Sequence, residues 1–514
     1  MTDTATPLPQ ATPLLPVVAF PYTGDYRIDT LLQSPAYRWN KDAPFGTPVT
    51  VTYSFMSVKP FYGGTDEGDG DRGFSAFTAQ QQAAARQVFA RLQTELGITF
   101  VEVADSASSY GQIRMGNNTQ SASAGYAYLP YSTSNDRNGD IWLDRSTPSN
   151  LTDLAPGTVA WATLVHEIGH ALGLNHPGDY NAGDRATNAP GNYLGVLEDN
   201  TNYTIMSYTD AAGGQQRDWF GMYDLLTLRT LYGSGTAYSG NTLHSYNDDT
   251  GAFLGMVIDT GGIDTINVSA VTLGVAIDLV PGRFSSVGRN GNVPASNNLS
   301  IDLATVIENV VGTRLDDSVR GNDANNRFTL GTGRNAAEGG AGIDTAAYAL
   351  AAASYQVSAT AGVLRVTGAD LSDTMVQVER LAFADYKLAF DTAGNAGTTA
   401  KILGAVFGVP AVANRDYAAI GLQLLDAGSS YAGLMQLALD AKLGVGASAQ
   451  SVVTLLYSNV VGAAPGAADL ALYTGLLQSG QYTPATLGML AADTPANAAN
   501  INLVGLAATG LAYA

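Results

Sequence analysis

Three of the chain's four histidines fall in one run, His166-Glu167-Ile168-Gly169-His170-Ala171-Leu172-Gly173-Leu174-Asn175-His176. His166 and His170 are four apart, so on a helix both imidazoles leave the same face about one turn apart. The apolar spacing predicts that helix over Val159–Leu172. Gly173 is where it can stop, because glycine accepts the left-handed backbone that redirects a chain. The turn then swings His176 back toward the other two. Three neutral imidazoles suit zinc and leave its fourth position to water, the open geometry of a catalytic site. Glu167 stands beside them, placed as general base toward that water. Histidines that merely pack or cap are the bland alternative, and the third histidine at this spacing argues against it.

A length of 514 residues is too great for one core and implies two to four domains. A hydrophobic fraction of 46% with 14% charged residues supports packed cores rather than disorder. The net charge of -20 works against nucleic acid, whose phosphates such a surface repels. Acidity with 58 glycines suits oxygen-rich calcium sites, although a plain soluble acidic protein has the same composition. With no cysteine there is no disulfide, no thiolate ligand and no thiol latency switch. No apolar run is long enough for a transmembrane segment. The first residues lack the basic and apolar regions of a conventional secretory signal.

Residues 1–22, rich in Pro, Thr and Ala, read as a leader or short propeptide. Residues 23–233 have the texture of a mixed α/β domain. Strands are expected at Val49–Phe55, Gln112–Met115 and Ala127–Pro130, with helices at Phe77–Leu96 and Met222–Leu231 beside the histidine helix. Residues 234–350 are rich in Gly, Asn and Asp and carry a nine-residue period through Gly312, Gly321 and Gly339 and through Asp317, Asn326, Asn335 and Asp344. That period predicts a degenerate parallel β-roll. Residues 351–395 read as closing strands, and residues 396–514 as a helical module running to the C-terminus.

About thirty residues beyond the histidine run stands Tyr203-Thr204-Ile205-Met206-Ser207-Tyr208. With Pro177 directly after the third histidine, this combination resembles the serralysin family of metzincin zinc proteases, whose Met-turn lies beneath the metal. The resemblance implies an α+β protease domain, a β-roll or β-sandwich domain and, here, an additional all-α module. It implies that Met206 is structural and that Tyr208 is a further zinc ligand that swings away to stabilise the oxyanion. A buried aromatic with a satisfied hydroxyl is the alternative for Tyr208. Asp25–Asp29 with Leu31, Leu32, Arg38 and Trp39 is similar to the family's opening segment. Gly125–Pro130 is similar to its substrate-facing edge strand, so Gly125, Ala127 and Leu129 are candidates for pairing with an extended peptide; an ordinary hairpin strand is the alternative.

Gly339-Gly340-Ala341-Gly342-Ile343-Asp344 matches the GGxGxD calcium turn of repeats-in-toxin proteins, in which glycines permit the tight turn and the aspartate brings charge. Asp259-Thr260-Gly261-Gly262-Ile263-Asp264 is a second match. Candidate calcium ligands are therefore Asp259, Gly261, Asp264, Asp317, Gly340, Gly342 and Asp344. The series is degraded: Thr313 and Leu315 replace glycines, and Asn335 replaces an aspartate. Fewer anionic ligands imply fewer or weaker ions, and a metal-free coil is the alternative. Asp66–Asp71 and the group Asp136, Asn138 and Asp140 read as solvated loops. His244 has no evident partner.

These observations imply a secreted zinc endopeptidase, extracellular in solution or at the cell surface, acting as a monomer on polypeptide substrates. Its expected cofactors are Zn(2+) and Ca(2+), and the resemblance to serralysins implies as export partner a type I secretion exporter that reads a C-terminal signal. The rival is a calcium-binding surface-layer or adhesion-associated protein whose protease activity is incidental. Loss of Glu167 or Tyr208 would favour the rival, and both are present.

Overall fold

The computed structural model describes residues 21–62, 69, 72–134, 136–178, 180 and 193–514. The expected leader therefore lies almost wholly outside the described residues, as does most of the 66–71 acidic loop. The chain divides into two compact units, residues 1–237 with 253–256, and residues 238–252 with 257–514.

In the first unit, Val49–Phe55 is β-branched and aromatic and forms a strand with Val51 and Tyr53 inward. It pairs in parallel with Ile98–Glu102 on one side and Ile113–Asn118 on the other. Ile113–Asn118 then pairs in parallel with Ile141–Asp144. Gly125–Ala127 ends this sheet, antiparallel to Ile141–Asp144. The strand expected at 127–130 thus lies earlier in the chain. Pro130 has no backbone N–H, and Tyr131 turns into the left-handed region at φ 56°. Leu129, a candidate for substrate pairing, lies past the strand and packs into the core.

Helix Ala79–Glu95 starts with a reciprocal cap between Thr78 and Gln81 and buries Val88, Phe89 and Leu92. Its expected end residues, Phe77 and Leu96, pack in the core just outside the helix. Helix Val159–Ala171 is capped by the Thr158 side chain, which accepts from Trp161 N. Helix Met222–Tyr232 buries Leu225, Leu228 and Leu231.

The second unit is built on the nine-residue period. Asn309–Val311, Arg327–Thr329 and Thr345–Ala347 stack in parallel on one sheet, and Ser318–Arg320 and Ala336–Glu338 stack on the other. One full coil is therefore two nine-residue halves. The middle residue of each three-residue strand points inward, so Val310, Phe328 and Ala346 share a core with Val319 and Ala337. Antiparallel strands Gln356–Thr360, Val363–Thr367 and Ser372–Val376 extend the second sheet. Helices begin at Asn395.

The chain does not stay helical to its end. Leu511–Tyr513 is a strand antiparallel to Lys387–Ala389. Its short LAY sequence could not announce this, because an unpaired edge strand 122 residues earlier (511 against 389) recruits it.

Candidate metal centre

Where the histidine helix ends, the exposed carbonyls find partners from distant segments. The Trp39 indole N–H donates to Ala171 O at 2.9 Å, and the Tyr232 hydroxyl to Leu172 O at 2.8 Å. Gly173 follows with φ 104°, and a Cβ there would stand 2.4 Å from Tyr37 O. Glycine is needed for both conformation and space. Asn175 N then donates to Leu31 O at 2.8 Å, so the opening segment holds the returning chain that carries His176.

The three rings converge as their spacing predicts. His176 Nε2 lies 3.1 Å from both His166 Nε2 and His170 Nε2. The other ring nitrogens of the helical pair face backbone carbonyls, His166 Nδ1 to Ile205 O at 2.8 Å and His170 Nδ1 to Leu174 O at 2.7 Å. Those carbonyls require N–H at Nδ1, so the Nε2 lone pairs point inward. Burial lowers the pKa of His166 to about 4 and of His176 to about 3, and it holds that of His170 well below the usual histidine value. Neutral rings with convergent lone pairs repel one another unless a cation sits among them. Three imidazole nitrogens fit zinc.

Glu167 is buried beside them, and burial pushes its pKa up to about 8. Its Oε2 is buried with no hydrogen-bond partner. Gly125 of the sheet edge makes room for it, because a Cβ there would stand 2.9 Å from Glu167 Cγ and 3.0 Å from Oε1. Met206 is fully buried under the helix, and a Cβ on Gly169 would meet its Sδ at 2.8 Å. Tyr208 places its ring 4.5 Å from His176 and 6.0 Å from His166, centroid to centroid. The Tyr208 side of the site is open, with 54% of the residue exposed. A cleft of about 420 Å³ is lined by Gly125, Val159, Thr163, His166, Glu167 and Tyr208.

Three residues of this site escape sequence reasoning. Gly169 reads as an ordinary spacer in the motif. Asp224 is buried and accepts from Ile205 N and Gly221 N, both at 2.7 Å, and from the Thr204 hydroxyl, fixing the turn before Met206. A carboxylate in the first turn of an apolar helix was its only signal. Tyr180 stacks on Tyr208 at 4.8 Å, and nothing local foretells that pairing.

Comparison with known proteins agrees with this geometry. The pattern of the metallo-peptidase family M12 matches residues 69–220. That of the Peptidase M10 serralysin C terminal matches residues 223–399, including the whole parallel roll. In both stretches the chain is similar to serralysin-type metzincins. Serralysin of Proteus mirabilis is 33% identical over 322 residues, covering 56% of this chain and 62% of that protein. Metallopeptidase AprA of Pseudomonas marginalis is 33% identical, covering 59% and 66%. Serralysin B of Dickeya chrysanthemi is 30% identical, covering 57% and 62%. The chain thus spans less than two thirds of the length of these relatives. Residues 400–514 lie beyond both family matches.

The roll has two kinds of turn. At Asp344, Oδ1 accepts Asn326 N at 2.7 Å while Oδ2 is buried without a partner. Burial, with Glu379 nearby, raises its pKa to about 7. Gly340 and Gly342 take φ 111° and 103° and pass close to the Asn322 and Ala324 carbonyls. Asp264 repeats the arrangement: Oδ1 accepts Thr242 N, and Oδ2 is buried and unpartnered. Gly261 precedes it at φ 144°, and its N–H donates to Asp259. These orphaned oxygens fit a hard cation.

The other turns are already satisfied. Asp317, also a candidate calcium ligand, accepts from Val275 N, Thr313 N and the Thr313 hydroxyl through both oxygens. The Asn326 amide donates to Ile307 O and Glu308 O, and that of Asn335 to Asp373. His244 lies 3.2 Å from Asp259 Oδ2 and so has a partner after all.

One residue in each of the two acidic groups read as solvated is buried instead. Asp69 accepts from the Tyr126 and Tyr128 hydroxyls. Asp140 is fully buried against the Tyr62 hydroxyl, and burial holds its carboxyl well above the usual range. Charge-run composition hid both, because the tyrosines that receive them are remote in sequence.

Proposed function

We propose that this chain is a zinc-dependent endopeptidase that hydrolyses peptide bonds in extracellular or surface proteins. The observation that carries the reading is the orphaned Glu167 Oε2 beside three convergent imidazole nitrogens in an open cleft. His166, His170 and His176 would hold the metal, with Tyr208 within reach as a further ligand. Zinc bound there supplies Lewis acidity, polarising a carbonyl and making water easier to deprotonate.

Within that reading, each residue has its own task. A neighbouring dication favours the ionised form of Glu167, which its dry pocket otherwise disfavours, so Glu167 can accept a proton and later return it. The Tyr208 hydroxyl donates to oxygen as negative charge develops on the scissile carbonyl. Gly125 and Ala127 offer backbone groups on the free side of an edge strand, where an extended peptide can add as a further strand. Met206 and Gly173 support the ligands. In the second unit, calcium at the Asp264 and Asp344 turns stabilises the roll. Residues 23–233 are taken as the catalytic domain, and export by a type I route is part of the same reading. Among the described residues no helix is long and apolar enough to cross a membrane.

The test is Glu167→Ala with zinc content measured alongside casein hydrolysis. Hydrolysis should disappear while zinc stays near one per chain, because the imidazoles are untouched. Wild-type turnover in the zinc-loaded variant would sink the proposal.

A further inference from the structure

Tyr208 stands in an open cleft with its ring beside those of His166 and His176. Tyr180 packs against it as well. The two rings stack at 24° with centroids 4.8 Å apart. The Tyr208 backbone N–H donates to the Tyr180 hydroxyl at 3.2 Å. That hydroxyl donates to Asp199 Oδ1 at 2.7 Å, and the Ser207 hydroxyl donates to the same oxygen, also at 2.7 Å. Thr209 N donates in turn to Ser207 Oγ at 3.0 Å. The backbone on both sides of Tyr208 is therefore tied to one carboxylate through Tyr180 and Ser207. Gly178 clears the space, since a Cβ there would lie 1.9 Å from the Tyr180 ring.

We propose that Tyr180 is a positioning residue for catalysis: its ring and hydroxyl set the place and range of Tyr208, and so the alignment of the Tyr208 hydroxyl with the scissile carbonyl. The inference rests on the proposed role of Tyr208. An aromatic wall on one face of a half-exposed ring removes rotamers that point away from the metal and leaves the path toward it open. Tyr180 lies four residues past His176, so one short segment carries both a metal ligand and the stop for Tyr208. Tyr180 itself touches no reacting atom.

The experiment is a double-mutant cycle on zinc-loaded full chain, with kcat and KM measured on a fluorogenic peptide and zinc and melting temperature as controls. Tyr180→Leu removes both stack and hydroxyl, whereas Tyr180→Phe keeps the stack and remains informative if the leucine variant folds poorly. We expect Tyr180→Leu to lower kcat about tenfold at similar KM and zinc content, with a smaller loss for Tyr180→Phe. In a Tyr208→Phe background the same changes should alter kcat less than about twofold, because the hydroxyl to be aligned is gone. Equal losses in both backgrounds would mean a structural role only and overturn the inference. So would an unchanged kcat for Tyr180→Leu when Tyr208→Phe alone is impaired. If Tyr208→Phe is itself fully active, the reading of Tyr208 fails first and this inference falls with it.

Discussion

At Gly125 a hydrogen stands where any side chain would begin 2.9 Å from the Glu167 side chain. At Gly169 the same absence admits the Met206 sulfur, 2.8 Å from a would-be Cβ. The two glycines are alike in sequence and differ in what they protect. Gly125→Ala should displace the carboxylate and lower kcat/KM about tenfold to a hundredfold with zinc retained, since catalytic groups tolerate little misplacement. Gly169→Ala should overpack the core beneath the helix and cost about 1–3 kcal/mol of stability. Peptide kinetics and urea denaturation on both variants separate these outcomes. A Gly125→Ala enzyme with normal kinetics would show that the strand edge does not confine Glu167.

At the scale of the elements, the roll has two turns with an orphaned carboxylate oxygen, at Asp264 and Asp344, and between them turns whose side chains are already hydrogen-bonded. Without calcium, the folded state holds the Asp344 proton up to about pH 7, against an ordinary carboxyl value of 3.8. The folded state therefore binds more protons than the unfolded chain between those values, and stability falls as pH rises through that window. Calcium removes the penalty by giving the ionised carboxylate a partner. The calcium-induced rise in melting temperature should therefore be larger at pH 8 than at pH 5, and Asp344→Asn should diminish it at pH 8. An equal calcium effect at both pH values would contradict this assignment. Asn326 gives the converse case. Asn326→Asp replaces an amide donor with an oxygen facing Ile307 O and Glu308 O. The variant should melt lower in chelator and recover more on adding calcium than the parent does.

For the molecule as a whole, the decisive long-range feature is the return of the C-terminus to the roll. Leu511 is buried, and its strand covers an edge that would otherwise present unpaired N–H and C=O groups. Deleting residues 511–514 should cost the second unit at least about 2 kcal/mol from lost leucine burial alone, read as a lower melting temperature and faster proteolysis. An unchanged melt would mean that the strand pairing contributes little. Much of this protein was legible in one dimension where its physics is periodic or local. The i, i+4 histidines and the glycine that ends their helix announce a metal centre, because helix geometry alone brings those rings together. The nine-residue period announces the roll, because each half-coil buries one residue against its neighbours. Tertiary structure decided what depends on remote partners. It put Glu167 against Gly125, Asp69 and Asp140 among tyrosines, Asp317 against the Val275 and Thr313 donors, and Tyr180 flat against Tyr208. No sequence spacing encodes those choices, since each is set by which distant donor or void a side chain meets once the chain has folded.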